Sequence, residues 1–121
     1  MSDSVASDEA RQIADAQLTA YNACDLEAYL ALFHADAKLI NLPDQSVIAE
    51  GLPAIRAMYQ TRFATAGLHC EVQHRSEIGN IAIDRERVYT DAGPPVDILA
   101  MYEVTGGKIS RIFFVRGGMI G

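Results

Sequence analysis

Between Asn22 and Tyr59 the chain reads NACDLEAYLALFHADAKLINLPDQSVIAEGLPAIRAMY. This stretch spells a short helix opened by Asp25, a strand growing out of FHADAKL, a turn, a second strand, and a helix opened by Gly51 and Pro53. Aspartate is a favoured N-cap and proline is favoured in a first helical turn. Beyond Gly67 the pattern becomes β-like. Strands are expected over 68–78, 81–90, 96–105 and 108–116, divided by Gly79-Asn80, Gly93-Pro94-Pro95 and Gly106-Gly107. With the short pieces 38–42 and 46–49 they predict one strongly curved, mostly antiparallel sheet. Helices would fill its concave side, giving an α+β fold in which a cone-shaped sheet wraps three N-terminal helices.

Three apolar stripes define those helices. In the first, Ser7 reads as N-cap, Ile13, Gln17, Leu18 and Tyr21 share a face, and Arg11, Asp15 and Thr19 mark the wet side. Leu26, Tyr29, Leu30 and Phe33 form the second, with Phe33 read as core. Ile55, Met58, Tyr59 and Phe63 form the third, with Gly67 as its left-handed cap. Tyr59 divides evenly between plain packing and a polar contact inside a pocket.

Composition narrows the partners. A chain of 121 residues suits one domain, 1–121, with 1–6 as a flexible N-terminal tail. The 16 acidic residues outnumber 10 basic ones, and a net charge of -6 repels nucleic-acid backbones and anionic membranes. No apolar run approaches the roughly 18 residues of a membrane span. The opening MSDSVASDEA has no apolar core, so it is not a signal peptide. Cys24 and Cys70 do not make a disulfide framework, and His34, His69 and His74 are too scattered for a metal motif. The odd separation of His69 and His74 predicts opposite strand faces. The expectation is a cytoplasmic, reduced protein without metal or cofactor.

The order and wording of the Asn22–Tyr59 stretch resemble steroid delta-isomerase-like and polyketide-cyclase-like (SnoaL-like) proteins, members of the nuclear-transport-factor-2-like superfamily. The closing hairpin MYEVTGGKISRIFF stands where the resemblance expects it, so the likeness covers nearly the whole chain. Steroid isomerases use an aspartate base and an oxyanion hole made of a tyrosine and a protonated aspartate. The resemblance places Asn41 at the base, Gln17 at the tyrosine and Ala100 at the protonated aspartate. An amide does not take up the proton and alanine donates nothing, so the familiar ketosteroid isomerisation is not expected. Limonene-epoxide-hydrolase-like relatives use an aspartate-arginine-aspartate set. There the resemblance gives Asn41 a water-binding role and Arg85 the arginine position, with Arg87 and Phe114 at the two aspartates.

A cavity at the wide end of the cone is the expected ligand site. If Ala100 faces it, so do Ile98 and Tyr102; if Phe114 does, so does Arg116. The candidate lining is therefore Gln17, Tyr21, Asn41, Met58, Tyr59, Phe63, Arg85, Ile98, Ala100, Tyr102, Phe114 and Arg116. In the run Asp84-Arg85-Glu86-Arg87 the two acids share one face and the two bases the other. Solvated charge pairing is the plain reading of the carboxylates, and a base or an interface role the alternative. The strand IFFV, residues 112–115, is apolar on both faces, which predicts a homodimer through the outer sheet face. Partial cover by the tail GGMIG is the rival account. The reading that results is a pocket protein for a small apolar, oxygen-bearing molecule, of isomerase or cyclase type, with catalysis left open. Its alternatives are a non-catalytic dimeric module, or an epoxide-hydrolase-like enzyme with a non-standard water-activating set.

Overall fold

The computed structural model describes residues 3–117. Helices α1 (Asp3–Asn22) and α2 (Leu26–Leu30) lead into strands β1 (Phe33–Asn41) and β2 (Ser46–Glu50). Helix α3 (Leu52–Arg62) then precedes β3 (His69–Ile78), β4 (Ile81–Thr90), β5 (Gly93–Thr105) and β6 (Lys108–Arg116). The six strands make one sheet in the order β2-β1-β6-β5-β4-β3. Only β1 and β6 run parallel; the other neighbours are antiparallel. Helix α1 lies across β3, β4 and β5, while α3 covers β1, β2 and α2. The third helix thus falls between strands rather than N-terminal to the sheet.

Local signals place most of these boundaries. The Asp25 carboxylate accepts from the Ala28 amide at 3.1 Å and opens α2. Gly51, at φ +83, turns the chain into α3 in a backbone conformation that side chains resist, with Pro53 in the first turn. Several expected boundaries shift. Ser7 does not cap α1 but lies inside it, and its hydroxyl donates to the Gly79 carbonyl at 3.1 Å, pinning the helix to the β3–β4 turn. Residues 3–6 of the expected tail are helical; the rest of that tail and all of GGMIG but Gly117 lie outside the described residues. Helix α3 stops at Arg62, so Gly67 is no cap for it. Gly67 instead takes φ +73 in the loop before β3, where a Cβ would collide with the Asp91 carboxylate. Gly93-Pro94-Pro95 begins β5, and the turn falls on Asp91 and Ala92.

The core lies between helices and sheet. Phe33, Leu39, Ile55, Ile109 and Ile112 are each 2% exposed or less. Beside them, Tyr29 stacks on Tyr59 with centroids 4.4 Å apart, and Phe63 meets Tyr21 and Tyr29 edge-on at 5.4 and 5.3 Å. Aromatic pairs of this kind add about 1 kcal/mol each beyond area burial.

Strand register decides which side chains look inward. Across β5 and β6, Tyr102 faces Ile112, Ala100 faces Phe114, and Ile98 faces Arg116. On β4 the inner row is Ala82, Asp84, Glu86 and Val88. Arg85 and Arg87 point outward, where both pair with Asp97. A bulge between Val72 and His74 changes the parity of β3. His69 and His74 therefore share the outer face, contrary to simple alternation, because the extra residue flips the second half of the strand. The same bulge brings Arg75 inward, opposite Asp84.

Candidate functional site

The inner face of the sheet, α1 and α3 enclose a cavity of about 230 Å³. Gln17 and Tyr21 enter it from α1, Tyr29 from α2, and Met58, Tyr59 and Arg62 from α3. Asn41, Ile48, Cys70, Glu86, Val88, Ile98, Tyr102, Phe114 and Arg116 come from the sheet. Nine of the twelve expected lining residues meet here.

The other three do not. Ala100 sits in the inner row but is wholly covered, so it underlies the cavity without opening onto it. Phe63 packs behind the wall, against Tyr21 and Tyr29. Arg85 is on the opposite face, its side chain 61% exposed beside Asp97. A guanidinium stays solvated where it can, and β4 turns its carboxylates inward instead. With Arg85 and Arg87 outside, the epoxide-hydrolase-like arginine position is not part of this cavity.

Glu86 is the group that sequence reasoning set aside. It is 5% exposed, and no Lys or Arg pairs with it among the described residues. Burial pushes its carboxyl from 4.5 up to about 7; the Tyr102 hydrogen bond opposes that rise, Asp84 adds to it, and Arg75 offsets part. The Tyr102 hydroxyl stands 2.8 Å from Glu86 Oε2 and 3.1 Å from Gln17 Oε1. A phenol has one proton, so with Glu86 ionised the shorter bond takes it, and Gln17 serves the phenol oxygen with its amide turned over. Tyr29 packs beside this group against Tyr59. Burial raises the phenol of Tyr59 to about 12, and those of Tyr21, Tyr29 and Tyr102 upward as well. All four remain neutral hydrogen-bond donors at physiological pH. Burial likewise raises the Cys70 thiol, which keeps it protonated and unreactive.

Asn41 lines the mouth with its amide nitrogen already engaged. Its Nδ2 donates to Asp44 Oδ1 at 2.7 Å, and the Ser46 amide and hydroxyl donate to the same oxygen at 3.0 and 2.7 Å. These donors, the Ser46 amide foremost, hold the Asp44 carboxyl down to about 2. Asn41 therefore offers the cavity chiefly its carbonyl oxygen. Asp84, by contrast, is structural: it is fully buried and accepts from Arg75 Nε at 2.5 Å and Nη2 at 2.8 Å. Arg75 also pairs with Asp15 of α1. No cluster of three or more His, Cys, Asp or Glu forms a metal site among the described residues. No helix there is long and apolar enough to cross a membrane.

A curved sheet closed by helices over an apolar pocket with a few polar groups defines a protein of the nuclear-transport-factor-2-like, ketosteroid-isomerase-like fold. The family model described as SnoaL-like domain matches residues 14–112, and the chain belongs to that family. An uncharacterized cystatin-fold protein from Novosphingobium aromaticivorans is 31% identical, with TM-score 0.78 over 87% of this chain and 96% of that one. A protein from Kribbella flavida, named as a proposed ketosteroid isomerase, is 16% identical with TM-score 0.82, over 95% of this chain and 82% of its own. A hypothetical protein of ketosteroid-isomerase-like fold from Catenulispora acidiphila, in complex with trimethylamine, is 16% identical with TM-score 0.70. Coverage there is 85% of this chain and 83% of that chain. No match to the sequence was found among curated proteins.

Proposed function

We propose that the cavity binds a small apolar, oxygen-bearing molecule and that Glu86 moves a proton at the carbon beside its carbonyl group. The observation that carries this reading is a buried carboxyl, unpaired by any described cation, held near neutral by burial at the wall of an apolar pocket. A base poised near the working pH is both ionised and basic enough to accept a carbon-bound proton. In the first step the Glu86 carboxylate takes the proton and the electron pair passes to the carbonyl oxygen as an enolate. The neutral phenols of Tyr21 and Tyr59, which line the same cavity, are the donors suited to that oxygen. Return of the proton at another carbon is an isomerisation; attack of the carbanion on a second carbonyl is a cyclisation. Gln17, Asn41 and Ala100 leave the familiar steroid-isomerase positions without an acid or a base, so Glu86 replaces that arrangement rather than repeating it.

The test is exchange of the α-hydrogens of 2-tetralone for deuterium, followed by proton NMR. The protein is expected to accelerate exchange with a rate that rises through an inflection near pH 7, and Glu86→Gln to lower it about 10²- to 10⁴-fold, the usual contribution of a positioned base. Exchange no faster than in buffer, or equal in the variant, overturns the proton-transfer reading.

The outer sheet face supports a second element of the proposal, a homodimer. Ile83, Met101 and Phe113 lie in register across β4, β5 and β6, with Leu99 and Val115 beside them, all only half-buried. One contiguous apolar face on a small domain is a surface that a second copy would cover. Sedimentation is expected to show a dimer at micromolar concentration, and Phe113→Asp to shift it to monomer. A monomer without concentration dependence removes this part of the proposal.

A further inference from the structure

The arginines of this chain divide cleanly. Arg11, Arg56, Arg75, Arg85, Arg87 and Arg111 each have a carboxylate within 4.0 Å. Arg62 and Arg116 have none among the described residues, and these two line the cavity. They come from unrelated places, the last turn of α3 and the end of β6. Six of the eight arginines are matched to an acid, and the two without one among the described residues both stand over one opening. Arg62 is half-buried, and its charge acts on the Tyr21 and Tyr59 phenols, opposing the rise that burial causes in both. Glu86 acts on the same two phenols in the opposite sense, and strand register sets it two strands from Arg116, with Ile98 between them. The cavity therefore carries its cations on α3 and β6 and its proton-transfer carboxyl on β4.

We infer that the molecule bound here carries a carboxylate, held by Arg62 and Arg116, on a compact apolar body that reaches toward Glu86. This rests on the reading of the cavity as a ligand site and adds the substrate class. A planar guanidinium matches a carboxylate with two parallel hydrogen bonds, and two of them over an apolar cleft favour an anion over its neutral isostere. The volume of about 230 Å³ lies below the roughly 300 Å³ at which drug-sized pockets begin, so the body is one or two rings at most. The anion also stays clear of Glu86, whose ionisation a neighbouring negative charge would oppose.

Calorimetric or NMR titration at pH 8 and low salt with phenylacetate, phenylacetamide and phenyl phosphate tests this. Phenylacetate is expected to bind at least tenfold more tightly than phenylacetamide. In the double variant Arg62→Gln/Arg116→Gln that preference should fall below threefold; Arg85→Gln on the outer face should leave it intact. Equal affinities for acid and amide in the parent chain, or a preference that survives the double variant, overturns the inference. Tighter binding of phenyl phosphate by tenfold or more overturns the carboxylate class in favour of a phosphate ester. Thermal unfolding of the double variant, which removes no ion pair, is expected to match the parent. Glu86→Gln separates the two proposals: it should keep the acid preference while losing tetralone exchange. If the parent shows the preference but no exchange, proton transfer fails and the carboxylate site stands.

Discussion

At pH 8 the Glu86→Gln variant is expected to be more stable than the parent chain by up to about 3 kcal/mol, and at pH 5 by less than about 1 kcal/mol. The native carboxyl is raised from 4.5 to about 7, so between those values the folded chain holds a proton that the unfolded chain has released. Stability contributed by such a group is fully present below the unfolded value and is lost as pH rises through the folded one. The size follows from about 1.4 kcal/mol for each tenfold change in proton affinity. Glutamine keeps an oxygen for the Tyr102 hydroxyl and carries no titratable proton, so the slope between pH 5 and 8 should flatten. Urea unfolding at both pH values measures it. A parent and variant whose stabilities run parallel across that range would show that Glu86 is not held near neutral in the fold. The coupling of lost proton transfer to gained stability is what a strained functional carboxyl predicts.

Arg75→Met is expected to cost about 3–5 kcal/mol at pH 7, the range for leaving a buried charge without its partner. Asp84 has no solvent exposure, and Arg75 is the cation that meets it, through two nitrogens. The same guanidinium reaches Asp15, so one side chain ties α1 to β3 and β4. Asp15 is mostly exposed, and Asp15→Asn should cost less than about 1 kcal/mol. The pair Arg75→Met/Asp84→Leu should recover much of the loss, since an apolar replacement of both partners removes the uncompensated carboxyl. Urea midpoints of the three variants check the order. A loss below about 1 kcal/mol for Arg75→Met would mean that Asp84 finds another partner.

Local chemistry carried much of this architecture in the sequence. Asp25 and Pro53 start helices wherever they stand in a suitable context, because an N-cap or a first-turn proline works through its nearest neighbours. Glycines at Gly79, Gly106 and Gly107 mark turns for the same reason, each at positive φ. Alternation along β5 and β6 was legible once one residue was placed, and Ile98, Tyr102, Phe114 and Arg116 meet in the cavity accordingly.

On β4 the same reasoning had no purchase. Ile81, Ile83 and Tyr89 make one face apolar, Ala82 and Val88 the other, so hydrophobicity alone does not choose between Arg85 and Glu86 as the inward residue. Pairing with β5 and cover by α1 chose Glu86. The bulge at β3, which swings Arg75 beneath α1 and His74 outward to the face of His69, is a mismatch of two strands that neither strand carries alone. Tyr29 and Arg62 reach the cavity because α2 packs on α1 and α3 while α3 folds back over β1 and β2, relations that no single element carries. The sequence by itself determined the elements, their order and the family, through contacts of a few residues' range. The tertiary structure decided which carboxylate is buried near neutral and which arginines stand without an acid. Burial and charge pairing are properties of neighbours that only the folded chain brings together.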